Sequence, residues 1–329
     1  MFAWRVHEYG PFRDVLVAEE IDAPSAPAAG VVVDVDAVGL NFFDILSIAG
    51  LYQVKAPLPF VPATEVVGRV REAGPQSTFA VGDRVVAHNV VGACAEAMAC
   101  PDRGCLRVPD RVDDGDALAL AIVYQTSYFA LFHRAALREG EVLLVHGGAG
   151  AVGTAAIQLG KVLGATVIAT AAGEAKLDAC RRCGADHVID YAKDDFVAAV
   201  HKITGSKGAD VVFDSVGGDV FDASLKCLAW EGRLLVIGFA GGRIPEVKAN
   251  RILLKNIAII GLNWGGYQFQ DPTRHRSKIV AAHEALLGLH AEGRIDPVIA
   301  ADWTLRELPD ALGAIEQRRS IGKVVLRAR

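Results

Sequence analysis

The chemistry in this sequence starts with four glycines. From Glu141 to Gly164 the chain reads EVLLVHGGAGAVGTAAIQLGKVLG, with glycine at 147, 148, 150 and 153. Gly148, Gly150 and Gly153 fit the spacing G-x-G-x-x-G. An apolar run, Val142 to Val145, precedes them and reads as a buried parallel strand. Val152, Ala156, Leu159 and Leu163 follow at helical spacing, and Gly164 stands where a helix would stop. Alone, such glycines need mean only a tight turn. Between a strand and a helix they predict a dinucleotide site. Without Cβ atoms the backbone can close on a pyrophosphate. The first helical residues, Ala151 and Val152, offer unpaired N–H groups and the positive end of the helix dipole.

A second signal concerns the ribose. About twenty residues past the glycines, an NAD site usually carries Asp or Glu for the 2′-hydroxyl. Here that place reads Thr170-Ala171-Ala172-Gly173, and Glu174 comes only where the next helix begins. Lys176 follows, and Tyr191 ends the next strand. A lysine and a phenol there could hold a 2′-phosphate by charge and hydrogen bond, which favours NADPH over NADH. The plainer reading of Lys176 is a solvated helix lysine. Elsewhere, Asn41 and Asp44 lie three residues apart in one loop. Short polar side chains so placed could bond a ribose or substrate oxygen, or could fix their own loop.

No metal site is expected. Cys94, Cys100 and Cys105 lack C-x-x-C spacing and read as buried or loop thiols. Cys180 and Cys183 have that spacing, yet they end a helical stretch before Gly184, with no second pair or nearby histidine, so packing is the better reading. The nine histidines are scattered, and none forms H-E-x-x-H.

Two kinds of element must position these residues. To about residue 110 the pattern is short and β-rich, with strands around 31–38, 65–71 and 81–86 and Gly and Pro punctuation. Asp113 to Arg134 is helical in pattern and looks like a crossover between domains. From Glu141 the period changes. Strands at 142–145, 166–171, 187–190, 210–213 and 233–237 alternate with helices at 152–163, 174–183, 194–203 and 219–229. Gly164, Gly184 and Gly205 each follow a helix as C-caps. The fold class is therefore α/β: a doubly wound parallel sheet of the Rossmann kind, plus a β-rich domain. A sixth strand, 257–262, follows a loop and closes the sheet at an edge. A helix at 277–292 and a terminal strand from Gly322 complete the chain, the strand rejoining the first domain.

At 329 residues the chain can hold two cores. Its 52% hydrophobic content and mean hydropathy of +0.29 are those of a packed globular protein. A net charge of −5 offers no broad basic footprint for nucleic acid. No signal peptide is visible at the start, and the longest apolar run, Ala117 to Tyr124, is too short to span a bilayer. A cytoplasmic protein with reduced thiols is the expectation.

One further set of residues runs the length of the chain: Asn41, Asp44, Gly50 and Tyr52; Gly82-Asp83-Arg84-Val85; the 147–153 turn; Asp214-Ser215-Val216-Gly217-Gly218; Gly238-Phe239; and Leu253-Leu254-Lys255-Asn256 with Gly261 and Trp264-Gly265. With these the whole chain resembles the medium-chain dehydrogenase/reductase superfamily, with a GroES-like domain and a Rossmann domain. Within it the likeness is to the zinc-free NADPH:quinone oxidoreductase (zeta-crystallin-like) group. The resemblance implies a GroES-like catalytic domain over 1–121, an NADPH domain over 122–262 and a return to the first domain over 263–329. It places the 2′-phosphate against Lys176 and Tyr191. It places Asn41, Asp44, Tyr52, Thr64, Thr126, Ser215, Gly238, Phe239 and Asn263 around the cofactor and reacting centre, in a cleft between the domains. Zinc-dependent relatives carry cysteine in place of Asn41 and histidine in place of Thr64; Glu65 remains, but one carboxylate is no zinc site. The implied activity is two-electron reduction of a quinone or reactive enone by NADPH. An enoyl-thioester reductase with Tyr52 as proton donor, and a crystallin-like protein that keeps NADPH without turnover, are the alternatives. A homodimer joined through strand 257–262 is also implied. The partners are a small-molecule substrate and a second copy, with no nucleic acid and no membrane.

Overall fold

The computed structural model describes residues 1–328, the side chains of Pro272 and Thr273 apart. Arg329, last in the expected return segment, lies outside the described residues. The chain divides into two compact units. The first comprises Met1–Ile122, Pro272–His283 and Ile299–Arg329; the second comprises Val123–Asp271 and Glu284–Val298.

The first unit is built on Gly30–Leu40, an eleven-residue strand rich in valine whose β-branched side chains suit a pleated, buried surface. It pairs antiparallel with Glu65–Ala73 on one side and with Lys323–Arg327 on the other. Ala97–Pro101 also pairs with it. Ile299–Thr304 lies beyond Lys323–Arg327, and Arg84–His88 and Cys105–Arg107 extend the sheet past Glu65–Ala73. The core under this sheet gathers Val33, Val35, Ile48, Phe60, Val66, Val85, Leu312 and Leu326. The terminal strand thus rejoins the first domain, as its sequence suggests.

In the second unit six parallel strands run in the order His187–Asp190, Thr166–Ala171, Val142–Val145, Ala209–Asp214, Leu228–Val236, Ala258–Gly261. The order reverses direction at Val142–Val145, the switch point of a doubly wound sheet. Gly164, Gly184 and Gly205 follow their helices at positive φ, as expected of C-caps. Three details differ from the sequence expectation. The fifth strand starts at Leu228, directly after the helix Gly218–Cys227, so the expected helical end at 229 is already extended. The loop before the last strand is a short helix, Ala249–Lys255, closed by Asn256 in the left-handed conformation. The helix expected over 277–292 runs from Pro272 to Ala291. The crossover 114–134 is continuous helix, but two stretches, Ala119–Val123 and Phe129–Arg134, are wound as π-helix around the α-helical Tyr124–Tyr128. Thr126 sits inside this helix. Such π turns gather at functional sites.

Candidate active site

In the second unit the glycine turn follows strand Val142–Val145 and leads into helix Ala151–Val162. Gly150 is the N-cap, its own amide donating to the Gly147 carbonyl at 2.9 Å, and no side chain caps the helix, so the amides of the half-buried Ala151 and Val152 are left for a ligand. The turn is closed so tightly that a Cβ on Gly153 would lie 2.2 Å from the Gly147 carbonyl oxygen. A Cβ on Gly148 would lie 2.9 Å from Cys180 Sγ and 3.0 Å from Ala169 Cβ. This cradle fits a pyrophosphate and nothing with side chains in the turn. Gly148 N donates to the Thr170 carbonyl at 2.9 Å, fixing the turn against the next strand.

Behind the turn lies a histidine the sequence reading overlooked. His146 is buried, with Nδ1 3.0 Å from Thr170 Oγ1 and Nε2 2.8 Å from Ser224 Oγ. The Ser224 hydroxyl already donates to the Val220 carbonyl at 2.7 Å, so it accepts from Nε2–H, and Nδ1 accepts from Thr170. Burial holds this imidazole neutral by pushing its pKa down to about 3. It is a neutral tie beneath the turn, not an acid or base.

Around the carboxyl ends of the strands, Ser215 Oγ donates to the His146 carbonyl at 3.2 Å. The Ala240 and Gly241 amides donate to the Ser215 and Val216 carbonyls at 3.1 and 2.8 Å. This brings Ser215 together with the Gly238-Phe239 loop. Gly238 and Phe239 lie just beyond the fifth strand, which ends at Val236. Thr126 is half-buried one turn before Phe129. Asn263 caps the helix Trp264–Phe269, its Oδ1 accepting from Gly266 N at 3.0 Å. Lys176 lies in the first turn of helix Glu174–Arg182, its amide donating to the Gly173 carbonyl. Tyr191 follows strand His187–Asp190, its amide donating to the Ala171 carbonyl, and the residue is 48% exposed. Glu174, the acid nearest the ribose position in sequence, pairs with Arg181 at 2.6 Å. Asp190, unnoticed in the sequence, is buried at the same edge; it accepts from Ala192 N at 3.1 Å and lies 3.3 Å from Lys193 Nζ.

The first unit carries the other set. Asn41 precedes helix Phe42–Ile48, and its amide N donates to Asp44 Oδ2 at 2.6 Å, half of a capping box. Asn41 Nδ2 donates to Glu65 Oε1 at 2.7 Å, while Asn41 Oδ1 accepts from Lys323 Nζ at 2.8 Å. Lys323 Nζ also donates to the Leu40 carbonyl at 3.0 Å and to Glu65 Oε1 in a very short contact. Lys323 and Glu65 are both 1% exposed. Strand register explains the meeting. Gly39 lies opposite Glu65, and Leu40 lies opposite Val324, so Lys323 comes up beside Asn41. Gly39 leaves the room: a Cβ there would sit 2.8 Å from Glu65 Cγ and Cδ.

Asp44 is itself buried, and its Oδ1 has no protein partner. Burial lifts its carboxyl to about 7, with the Glu65 charge adding and the Asn41 amide and Lys323 ammonium opposing. Tyr52 stands half-buried past this helix, its ring centroid 5.5 Å from that of Phe43. Burial first, then the Asp44 charge, raises its phenol above the ordinary value. Leu51 and Val54 beside it are 74% and 60% exposed. Thr64 is buried with its hydroxyl unpartnered. Among the described residues no group of three or more His, Cys, Asp or Glu could hold a metal ion. All six cysteines are buried free thiols.

A doubly wound sheet with a glycine cradle at its switch point, joined in one chain to a unit of GroES-like strands, defines a two-domain dinucleotide oxidoreductase. Comparison bears this out. Residues 27–110 match the alcohol dehydrogenase GroES-like domain, and residues 151–277 match the zinc-binding dehydrogenase family. The chain is 41% identical over 314 residues to quinone oxidoreductase-like protein 2 of Bos taurus, covering 94% of this chain and 88% of that one. A mycobacterial protein solved with NADPH superposes with a TM-score of 0.92 at 31% identity, covering 99% of both chains. Escherichia coli quinone oxidoreductase, solved with NADPH, superposes with a TM-score of 0.91 at 28% identity, covering 99% of this chain and 100% of that one. The chain belongs to the medium-chain dehydrogenase/reductase superfamily, in its quinone oxidoreductase-like group.

Proposed function

We propose that this protein is an NADPH-dependent, zinc-independent reductase that passes two electrons to quinones or reactive enones. The observation that carries the reading is the state of the first-unit site. Its ion pair, Lys323 with Glu65, is closed on itself out of solvent. What remains to face a substrate is neutral: the Asn41 amide, the Tyr52 phenol, and the apolar Phe43, Leu51 and Val54. That suits a flat, uncharged acceptor. The glycine cradle and helix N-terminus hold the pyrophosphate, and Lys176 and Tyr191 take the 2′-phosphate. When bound, NADPH supplies the hydride, so the protein's part is binding, orientation and exclusion of water. A reduced quinone leaves an oxyanion whose conjugate acid is phenol-like, with pKa about 10, and water protonates it without help. NADPH relatives with known structures support the cofactor. Buried free thiols support a cytoplasmic setting.

One observation favours a second reading. The raised phenol of Tyr52 stays protonated at neutral pH and remains a donor. An enoyl thioester becomes an enolate that must be protonated on carbon, where a placed donor contributes roughly 10²–10⁴-fold. A single panel separates the readings: NADPH oxidation with a quinone and with crotonyl-CoA, in wild type and Tyr52→Phe, after EDTA treatment. Quinone turnover surviving EDTA, with kcat changed less than about tenfold by Tyr52→Phe, is expected. Loss of more than about a hundredfold with a well-used enoyl-CoA would make Tyr52 the acid and the enzyme an enoyl reductase. Tight NADPH binding with no turnover of either would leave a binding protein.

A further inference from the structure

The Asn41 side chain is held on both faces by ions. Lysine can only donate and a carboxylate can only accept, so the orientation of the amide is dictated: Oδ1 toward Lys323 Nζ at 2.8 Å, Nδ2 toward Glu65 Oε1 at 2.7 Å. Both ions are buried to 1% exposure, where such contacts are strong and flipping the amide would set oxygen against carboxylate and N–H against ammonium. The backbone is fixed as well, because Asn41 N donates to Asp44 and the Leu40 carbonyl accepts from the same ammonium. One group is left over. The second Nδ2 hydrogen has no acceptor among the described residues, and Asn41 is only half-buried.

We infer that Lys323 and Glu65 are positioning residues that make Asn41 a hydrogen-bond donor of fixed direction, and that its remaining N–H receives the carbonyl oxygen of the acceptor. This rests on the quinone or enone reading above. As hydride adds to such an acceptor, negative charge gathers on that oxygen. A donor already aimed at it lowers the barrier without reorganising, whereas a freely turning amide would present its own oxygen part of the time. The device selects acceptors that carry a carbonyl oxygen in conjugation with the carbon reduced. A buried ion pair is otherwise a weak source of stability, since an apolar pair of similar volume often serves as well.

The test replaces both ions together, so that no single charge is left buried. Glu65→Gln with Lys323→Met keeps the volumes and removes the bias on the amide. With 1,4-naphthoquinone, kcat/KM should fall tenfold or more, while the NADPH Kd from fluorescence titration stays within twofold and cooperative thermal unfolding persists. A folded double variant with kcat/KM within twofold of wild type would overturn the inference. A second measurement needs no variant. In wild type labelled with ¹⁵N-asparagine, the two Nδ2 protons of Asn41, distinct in shift as in any primary amide, should exchange with solvent slowly. The one on Glu65 should be protected from exchange, and the other should shift when a non-reducible quinone analogue binds. Fast exchange like that of a solvated asparagine would also overturn it. Wild type inactive toward every quinone and enone would sink the functional reading instead, and protection from exchange would then still assign the positioning.

Discussion

At the scale of single residues, Asp44 carries a clear signature. Its folded pKa of about 7 lies above the ordinary value of 3.8, because burial disfavours the ionised form. A raised acid binds its proton more tightly folded than unfolded. Its stabilising contribution is full below pH 3.8 and is lost as pH rises through about 7. The amide introduced by Asp44→Asn cannot ionise, and its oxygen can still accept from the Asn41 backbone N–H. The gain in melting temperature of Asp44→Asn over wild type should therefore widen from pH 4 to 7 and then level; a gain constant across that range would contradict the burial argument. At the other end of the site, Lys176→Ala should raise the KM for NADPH and hardly touch that for NADH. A wild type that prefers NADH would refute the 2′-phosphate reading. Asn41, Asp44, Lys176 and Tyr191 stand out in the sequence as candidates because each sits within a few residues of a turn or strand end that the pattern marks. Lys323 does not. Its sequence setting, Gly-Lys-Val-Val-Leu, reads as the start of a strand, and the partners that give it meaning lie 258 and 282 residues away.

At the scale of elements, the parallel strands were readable because short apolar runs alternate with helices ended by glycine. Where that punctuation fails, the reading fails. Nothing in Ala249–Lys255 separates a short helix from a loop, because it buries none of its residues. The π turns flanking Tyr124–Tyr128 leave the apolar pattern of 117–131 intact and so leave no trace in it. The strand Ala258–Gly261 is one edge of the six-stranded sheet, His187–Asp190 being the other. Upstream of it in the chain Leu253, Leu254 and Ile244 are 74%, 70% and 64% exposed. An unpaired edge strand invites a partner strand, and exposed apolar side chains invite a covering surface. We propose a homodimer through this edge, related by a two-fold axis. The protein should elute as a dimer, and Ile259→Pro, which removes an edge N–H, should make it a monomer. A wild-type monomer in dilute solution would end the proposal.

At the scale of the molecule, both folds follow from local rules, yet only one of them is local. The sheet of the second unit is assembled from an unbroken stretch, Val142 to Gly261. The first unit closes on a strand from the far end of the chain, Lys323–Arg327, laid between Gly30–Leu40 and Ile299–Thr304. On the ribosome this separation becomes a delay. Asn41 emerges 282 residues before Lys323, an interval of roughly 15 to 60 s at cellular elongation rates. During it Glu65 has no ammonium, the long valine strand is bare along one edge over 37–40, and the second unit can already be closed. Pulse proteolysis of chains arrested at increasing length should find 142–261 protected before 30–73; the opposite order would contradict this. The residues that orient the acceptor are thus also a completion signal. A nascent chain can acquire its dinucleotide cradle while it still has no means of aiming a substrate.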